Sequence, residues 1–310
     1  MKTDAVLPAD LARSVISVPP LPRAGDGTLS TAETRKLVDW LASGGVSTFL
    51  FGGNANLYNI GVREFGALLD LLEAVTPEEG WVIPSIGADY GKASDQIDAL
   101  RERAFPTAML LPPSSATTPA GFATGLRRLA DRYGRPVIAY LRAEGMLAPR
   151  DLAALIDDGA VCALKYAIVR ADPSVDATLA ALIDAVGSAE RIVSGIGERP
   201  AIDHLETFGL IGFTSGSVCI APHLSTALLH ALKGGDAEAA ARLRAHFLPL
   251  EDLRDAYSPI RVLHEAVRLA DIADTGPIAP FLANIEEPST LAEIEVAARH
   301  LRDASGAIAA

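Results

Sequence analysis

Two cysteines in 310 residues cannot build a disulfide framework, and Cys162 and Cys219 both lie inside apolar runs, where they read as buried small hydrophobes. Basic residues are also scarce. Twenty-seven lysines and arginines against 39 acids leave a formal charge of −12 with no basic cluster, which excludes nucleic acid as a partner because a phosphate backbone needs clustered cations. An anionic small substrate stays possible if local groups overcome that field. Nowhere do about 18 apolar residues run together, and Met1 to Leu11 carries acids without an unbroken apolar stretch, so neither a membrane span nor an export signal is expected. A cytoplasmic protein is the default. The six histidines, His204, His223 and His230 among them, show no ligand spacing, and no His/Asp/Glu cluster stands at the strand ends. No metal is expected.

What the chain does contain is 49% hydrophobic residues broken by 26 glycines and 20 prolines, the composition of a globular protein with many turns. A core of this size buries about three quarters of the unfolded surface. Eight short apolar runs recur: 14–18, 46–51, 81–86, 107–111, 136–140, 160–165, 191–194 and 210–214. Amphipathic stretches fall between them, such as 30–43, with Ser30 or Thr31 as its cap, and 63–75. That alternation predicts a parallel sheet covered by helices, and eight repeats predict a closed (β/α)8 barrel. After Ile220 only helical patterns follow, at 222–233, 237–253, 258–269 and 289–304. The expected organisation is a barrel domain over 1–224 and a helical region over 225–310.

In such barrels the reactive groups stand at the C-terminal ends of strands. Lys165 ends one apolar run and Tyr140 ends the run before it. A lysine closing a buried strand has its ammonium partly desolvated, which favours the neutral amine and makes it a nucleophile towards a carbonyl. A neighbouring tyrosine can move protons. The plain alternatives are a lysine that snorkels to solvent and a tyrosine that merely packs. The turn Gly52-Gly53-Asn54 follows the second run and allows close approach of backbone N–H donors. Ser194-Gly195-Ile196-Gly197 follows the seventh and reads either as pocket lining or as a phosphate loop.

The order of these motifs resembles the dihydrodipicolinate synthase and N-acetylneuraminate lyase family of pyruvate-dependent class I aldolases. The likeness runs from Ser14-Val15-Ile16-Ser17-Val18-Pro19-Pro20 through Ile83-Pro84-Ser85-Ile86-Gly87-Ala88, Pro136 to Tyr140, Ala163-Leu164-Lys165 and Ile211-Gly212-Phe213-Thr214-Ser215 to Ser258-Pro259-Ile260-Arg261. It implies a (β/α)8 barrel with a C-terminal helical region, commonly a tetramer, that uses no cofactor beyond a lysine imine. Lys165 matches the imine lysine and Tyr140 the proton-shuttling tyrosine. Gly52, Gly53 and Asn54 match the carboxylate-binding turn, and Gly195 and Thr214 line the pocket.

Three stretches depart from the family pattern. The carboxylate turn has Gly53 and Asn54 where threonines are usual and Asn56 where the family has glutamate. After the fourth strand Leu111-Pro112-Pro113-Ser114-Ser115 lacks the tyrosine of the cross-subunit proton relay. Its loss removes one functional reason for the family's tight dimer, so dimer and tetramer both stay open. After Tyr140 comes Leu141-Arg142-Ala143-Glu144-Gly145, in which Arg142 does not align with the synthase arginine that holds a distal carboxylate. The expected activity is therefore a lyase of aldolase or dehydratase type on pyruvate or a 2-keto-3-deoxy sugar acid, rather than lysine biosynthesis. The alternative is a barrel that binds a 2-oxo acid without turning it over. Tyr58, Tyr90 and Tyr166 are the tyrosines near enough in sequence to replace the missing one.

Overall fold

The computed structural model describes residues 1–113 and 117–309. Its eight strands are β1 (Ile16–Ser17), β2 (Thr48–Phe51), β3 (Trp81–Ile86), β4 (Met109–Leu110), β5 (Val137–Leu141), β6 (Val161–Tyr166), β7 (Ile192–Ser194) and β8 (Thr214–Ser215). All pair in parallel, in the order β7-β6-β5-β4-β3-β2-β1-β8. A single parallel bridge between Ser194 and Phe213 joins the two ends into the expected barrel. Because helices cover the outside and side chains fill the inside, the strands are buried on both faces. That is why they read as unbroken apolar runs rather than alternating ones.

The helices are α1 (Pro8–Ala12), α2 (Thr31–Ser43), α3 (Val62–Val75), α4 (Tyr90–Arg101), α5 (Pro119–Tyr133), α6 (Pro149–Asp157), α7 (Ala177–Val186), α8 (Ala201–Glu206), α9 (Pro222–Lys233), α10 (Ala237–Ala245), α11 (Leu248–Ala256), α12 (Pro259–Leu269) and α13 (Pro288–Ala309). Ser30 caps α2, its hydroxyl accepting from the Glu33 N–H at 3.3 Å. The helix expected over 237–253 is in fact two. Pro249 has no N–H to give to the carbonyl of Ala245, and its ring clashes there, so the chain breaks at His246-Phe247 and restarts as α11. This break sets the direction in which α11 leaves, and α11 carries three residues of the cavity described below, Glu251, Arg254 and Asp255. The short α1 had no expectation from sequence.

One irregularity in the sheet fixes the register of the site. Val137 pairs with Val161, but the next pair is Ile138 with Ala163, so β6 carries one extra residue, Cys162, opposite β5. Side chains alternate faces along a strand, so a one-residue slip turns a whole strand over. With the slip Tyr140 stands opposite Lys165; without it Tyr140 would face Leu164.

Candidate active site

Lys165 and Tyr140 meet at the C-terminal end of the barrel. The Lys165 Nζ lies 3.8 Å from the centre of the Tyr140 ring, and the lysine is only 5% exposed. Burial lowers its pKa to about 7, with the positive charges of Arg142 and Arg254 adding to the effect. The electron-rich ring face favours the ammonium and tempers that fall. At neutral pH a substantial part of the lysine is thus the free amine. Burial raises the Tyr140 phenol above its ordinary value while Arg142 pulls it back, so Tyr140 starts as a proton donor.

Both side chains open into a cavity of about 370 Å³ whose lining also includes Gly53, Asn54, Gly195 and Thr214. Six of the seven residues singled out from sequence are therefore brought together. Gly52 is the exception. It is buried against the barrel interior, where an added Cβ would stand 2.9 Å from Ser85 Oγ and 3.0 Å from Met109 Cε. Its part is to let β2 end without collision. Asn54 donates its side-chain amide to the Val18 carbonyl at 2.8 Å, which holds the turn against β1. Among the described residues the backbone N–H groups of Gly53 and Asn54 donate to no backbone carbonyl and remain for a ligand. Asn56, which takes the place of the family glutamate, is buried outside the cavity lining. It adopts a left-handed backbone with φ of 52° and donates to the Ala279 carbonyl, so its role is structural.

The phosphate-loop reading of 194–197 fails on its donors. The Gly195 N–H is held by the Tyr166 carbonyl at 2.6 Å and the Gly197 N–H by the Thr214 carbonyl at 3.1 Å. The next N–H, of Glu198, is likewise taken, donating at 3.1 Å to Glu251 Oε1. Gly195 is required for a different reason, since a Cβ there would meet the Tyr166 carbonyl at 2.7 Å and the Lys165 stem at 3.0 Å.

Of the three tyrosines, one enters the site. Tyr58 lines the cavity, and its phenol is pushed up to about 12 by burial and by Tyr140, with Arg142 beside it acting the other way. Tyr166 is committed elsewhere, donating to Asp176 at 2.5 Å. Tyr90 lies in a second cavity, with Asp89 and Thr118. The relay departure at Ser114 and Ser115 falls outside the described residues.

Sequence reasoning missed the far wall of the cavity, which contains Arg142, Arg199, Glu251 and Arg254. Arg142 follows β5 directly and could have been found by asking which cation comes next after Tyr140. The other three come from the segment after β7 and from α11, and no local pattern marks them. Arg199 is engaged by Asp252 at 2.6 Å and Asp255 at 3.7 Å. Among the described residues Arg254 donates hydrogen bonds to Ser217 Oγ and the Pro259 carbonyl, both at 3.3 Å. Among the described residues neither Arg142 nor Arg254 pairs with a carboxylate, in a chain whose net charge is −12.

No family model matches the chain. A Streptomyces coelicolor protein named as a probable 5-dehydro-4-deoxyglucarate dehydratase is 26% identical over 286 residues, 90% of this chain and 86% of that one. Dihydrodipicolinate synthase from Oceanobacillus iheyensis superposes with a TM-score of 0.82 at 20% identity, covering 94% of this chain and 97% of its own. YagE from Escherichia coli K12, a prophage protein of the dihydrodipicolinic acid synthase family solved with pyruvate, gives 0.78 at 21%, covering 93% and 98%. Over nearly its whole length the chain is thus similar to the dihydrodipicolinate synthase family, as the motifs at its strand ends led us to expect.

Proposed function

We propose that this protein is a Schiff-base lyase that dehydrates a 2-keto-3-deoxy sugar acid. The observation that carries the reading is Lys165 itself, a buried amine with its pKa lowered to about 7, held against Tyr140 in a cavity. The neutral Nζ attacks the 2-oxo carbon and forms the C–N bond. Tyr140 protonates the former carbonyl oxygen, which leaves as water. The resulting iminium draws electrons from the adjacent carbon, which gives up a proton to become the enamine carbon. The free N–H groups of Gly53 and Asn54 receive the substrate's 1-carboxylate. Dehydration is favoured over aldol cleavage by the likeness to a named dehydratase.

Two cavity arginines without carboxylate partners favour a substrate with a second carboxylate at its far end, because Arg geometry suits a planar anion. Arg142→Gln should raise KM for a 2-keto-3-deoxy diacid by roughly 10- to 100-fold, the size of a lost charge-assisted hydrogen bond, and leave KM for a monoacid nearly unchanged. It should also move the acid limb of kcat/KM to higher pH, since a positive neighbour that depresses the Lys165 pKa is gone. Steady-state kinetics across pH with both substrates check this.

The direct test is incubation with pyruvate and a panel of 2-keto-3-deoxy acids, reduction with borohydride, and intact-mass measurement. A ligand-sized gain located on Lys165 by peptide mapping supports the reading. Gain with turnover makes it an enzyme, gain without turnover makes it a binding protein, and no gain with any 2-oxo acid sinks the imine.

A further inference from the structure

The chain that leaves β2 folds back on itself. The Asn56 N–H donates to the Gly53 carbonyl at 2.9 Å and the Leu57 N–H to the Gly52 carbonyl at 3.2 Å, after which Leu57–Asn59 makes one 3₁₀ turn. Lys92 on α4 holds that turn from outside, its ammonium donating to the Leu57 and Tyr58 carbonyls at 3.2 and 2.8 Å. Tyr58 is thereby laid over Gly53. A Cβ on Gly53 would stand 3.6 Å from the edge of the Tyr58 ring and 3.7 Å from its hydroxyl oxygen, which puts that oxygen within about 5 Å of the Gly53 Cα.

The hydroxyl is not spent on the protein. Burial keeps the phenol protonated at neutral pH, so it is a donor. Arg142 beside it has only protons to give, and among the described residues no acceptor takes the Tyr58 proton. The oxygen is not sealed in the core either, since Tyr58 lines the same cavity as Gly53, Asn54 and Lys165.

A carboxylate brings about four lone-pair positions into a site. The N–H groups of Gly53 and Asn54 fill two of them, and an anion drawn out of water keeps its charge only with further donors. The phenol stands on the side of the turn where a side chain at position 53 would project. Two hydrogen bonds of about 2.7–3.0 Å span that separation when one carboxylate oxygen takes the turn and the other takes the hydroxyl.

We propose that Tyr58 is a further substrate-binding residue, the third donor to the 1-carboxylate of the 2-oxo acid, reaching it across the bare face of Gly53. The inference rests on the lyase reading, because it takes the Gly53-Asn54 turn as the carboxylate site. Tyr58 then acts on every 2-oxo acid alike, whereas the effect of Arg142 is confined to acids with a second carboxylate. A 2-oxo compound whose 1-carboxylate has lost its charge forfeits what the phenol contributes.

The test uses full-length wild type and Tyr58→Phe, with borohydride trapping read by intact mass over a range of pyruvate and of methyl pyruvate, its uncharged ester. In the variant the pyruvate concentration for half-maximal trapping should rise by about 10- to 100-fold, as for a hydrogen bond to a charged group, while the limiting rate and the methyl pyruvate half-saturation stay within about threefold of wild type. An unchanged pyruvate half-saturation overturns the proposal. So does an equal weakening with both ligands, because the phenol then does not read the charge. A fall in the limiting rate at unchanged half-saturation overturns it as well, and assigns Tyr58 to proton transfer. Thermal melting guards the comparison. A hydroxyl without an acceptor costs little to remove, so a variant melting far below wild type means that the hydroxyl is already engaged by the protein, which also overturns the proposal. Failure of wild type to trap any 2-oxo acid is a separate result, which removes the lyase reading and this inference with it.

Discussion

Replacing Lys165 by Met should lower turnover by at least about 10⁴-fold, because the covalent route is lost rather than slowed. The same change should make the protein more stable. Methionine matches the lysine stem in length and carries no charge to desolvate. An unfolded lysine holds its proton to about pH 10.4, whereas folded Lys165 loses it near 7. Between those values the folded state binds fewer protons than the unfolded one, so wild-type stability climbs as pH rises. The advantage of the variant is accordingly full below about pH 7 and shrinks towards pH 10. On the order of 2–4 kcal/mol is expected at pH 6, less than the whole pKa shift because the Tyr140 ring stabilises the cation. Urea unfolding at pH 6 and pH 9.5 measures both the sign and the trend. A variant less stable than wild type at pH 6 would mean that the buried amine is not under the strain argued for it.

Tyr140→Phe should cost 10²- to 10⁴-fold in kcat, the range for a positioned proton-transfer group. The ring is kept, so the 3.8 Å contact that supports Lys165 survives and only the hydroxyl is removed. The imine should still form with pyruvate, more slowly, and the acid limb of the pH profile should stay near 7 because Lys165 keeps its neighbours. Rapid-quench borohydride trapping separates the slowed imine from any later step. A loss below tenfold would shift the proton work to Tyr58, the other phenol lining the cavity.

Much of this architecture was legible because it is written locally. A strand buried on both faces must be a short apolar run, so all eight could be located, and with them the places of Tyr140 and Lys165 in β5 and β6. The bulge at Cys162 was not legible, although it decides which residue Tyr140 faces, because nothing in an apolar run marks the extra residue. The break between α10 and α11 was legible in Pro249 and was passed over. The pairing of Glu198 with Glu251 was out of reach of any local pattern: 53 residues separate them, and neither shows a periodicity that points to the other. Tyr58 and Arg142 lie within a few residues of recognised motifs but needed a three-dimensional cavity to be seen as neighbours.

The cavity is assembled from two unlike sources, which has a consequence for how such a protein can change. The strands supply the amine and the phenol, while α11, outside the barrel, supplies Glu251 and Arg254. On the proposed reading the imine-forming groups stand on the barrel strands, whereas the wall read as selecting the acid draws on both Arg142 after β5 and Arg254 on α11. If that reading holds, substitutions at Arg142 and within residues 248–260 would change which acid is accepted while Lys165 and Tyr140 stay as they are, so such a barrel would acquire new substrates without having to reinvent its reaction.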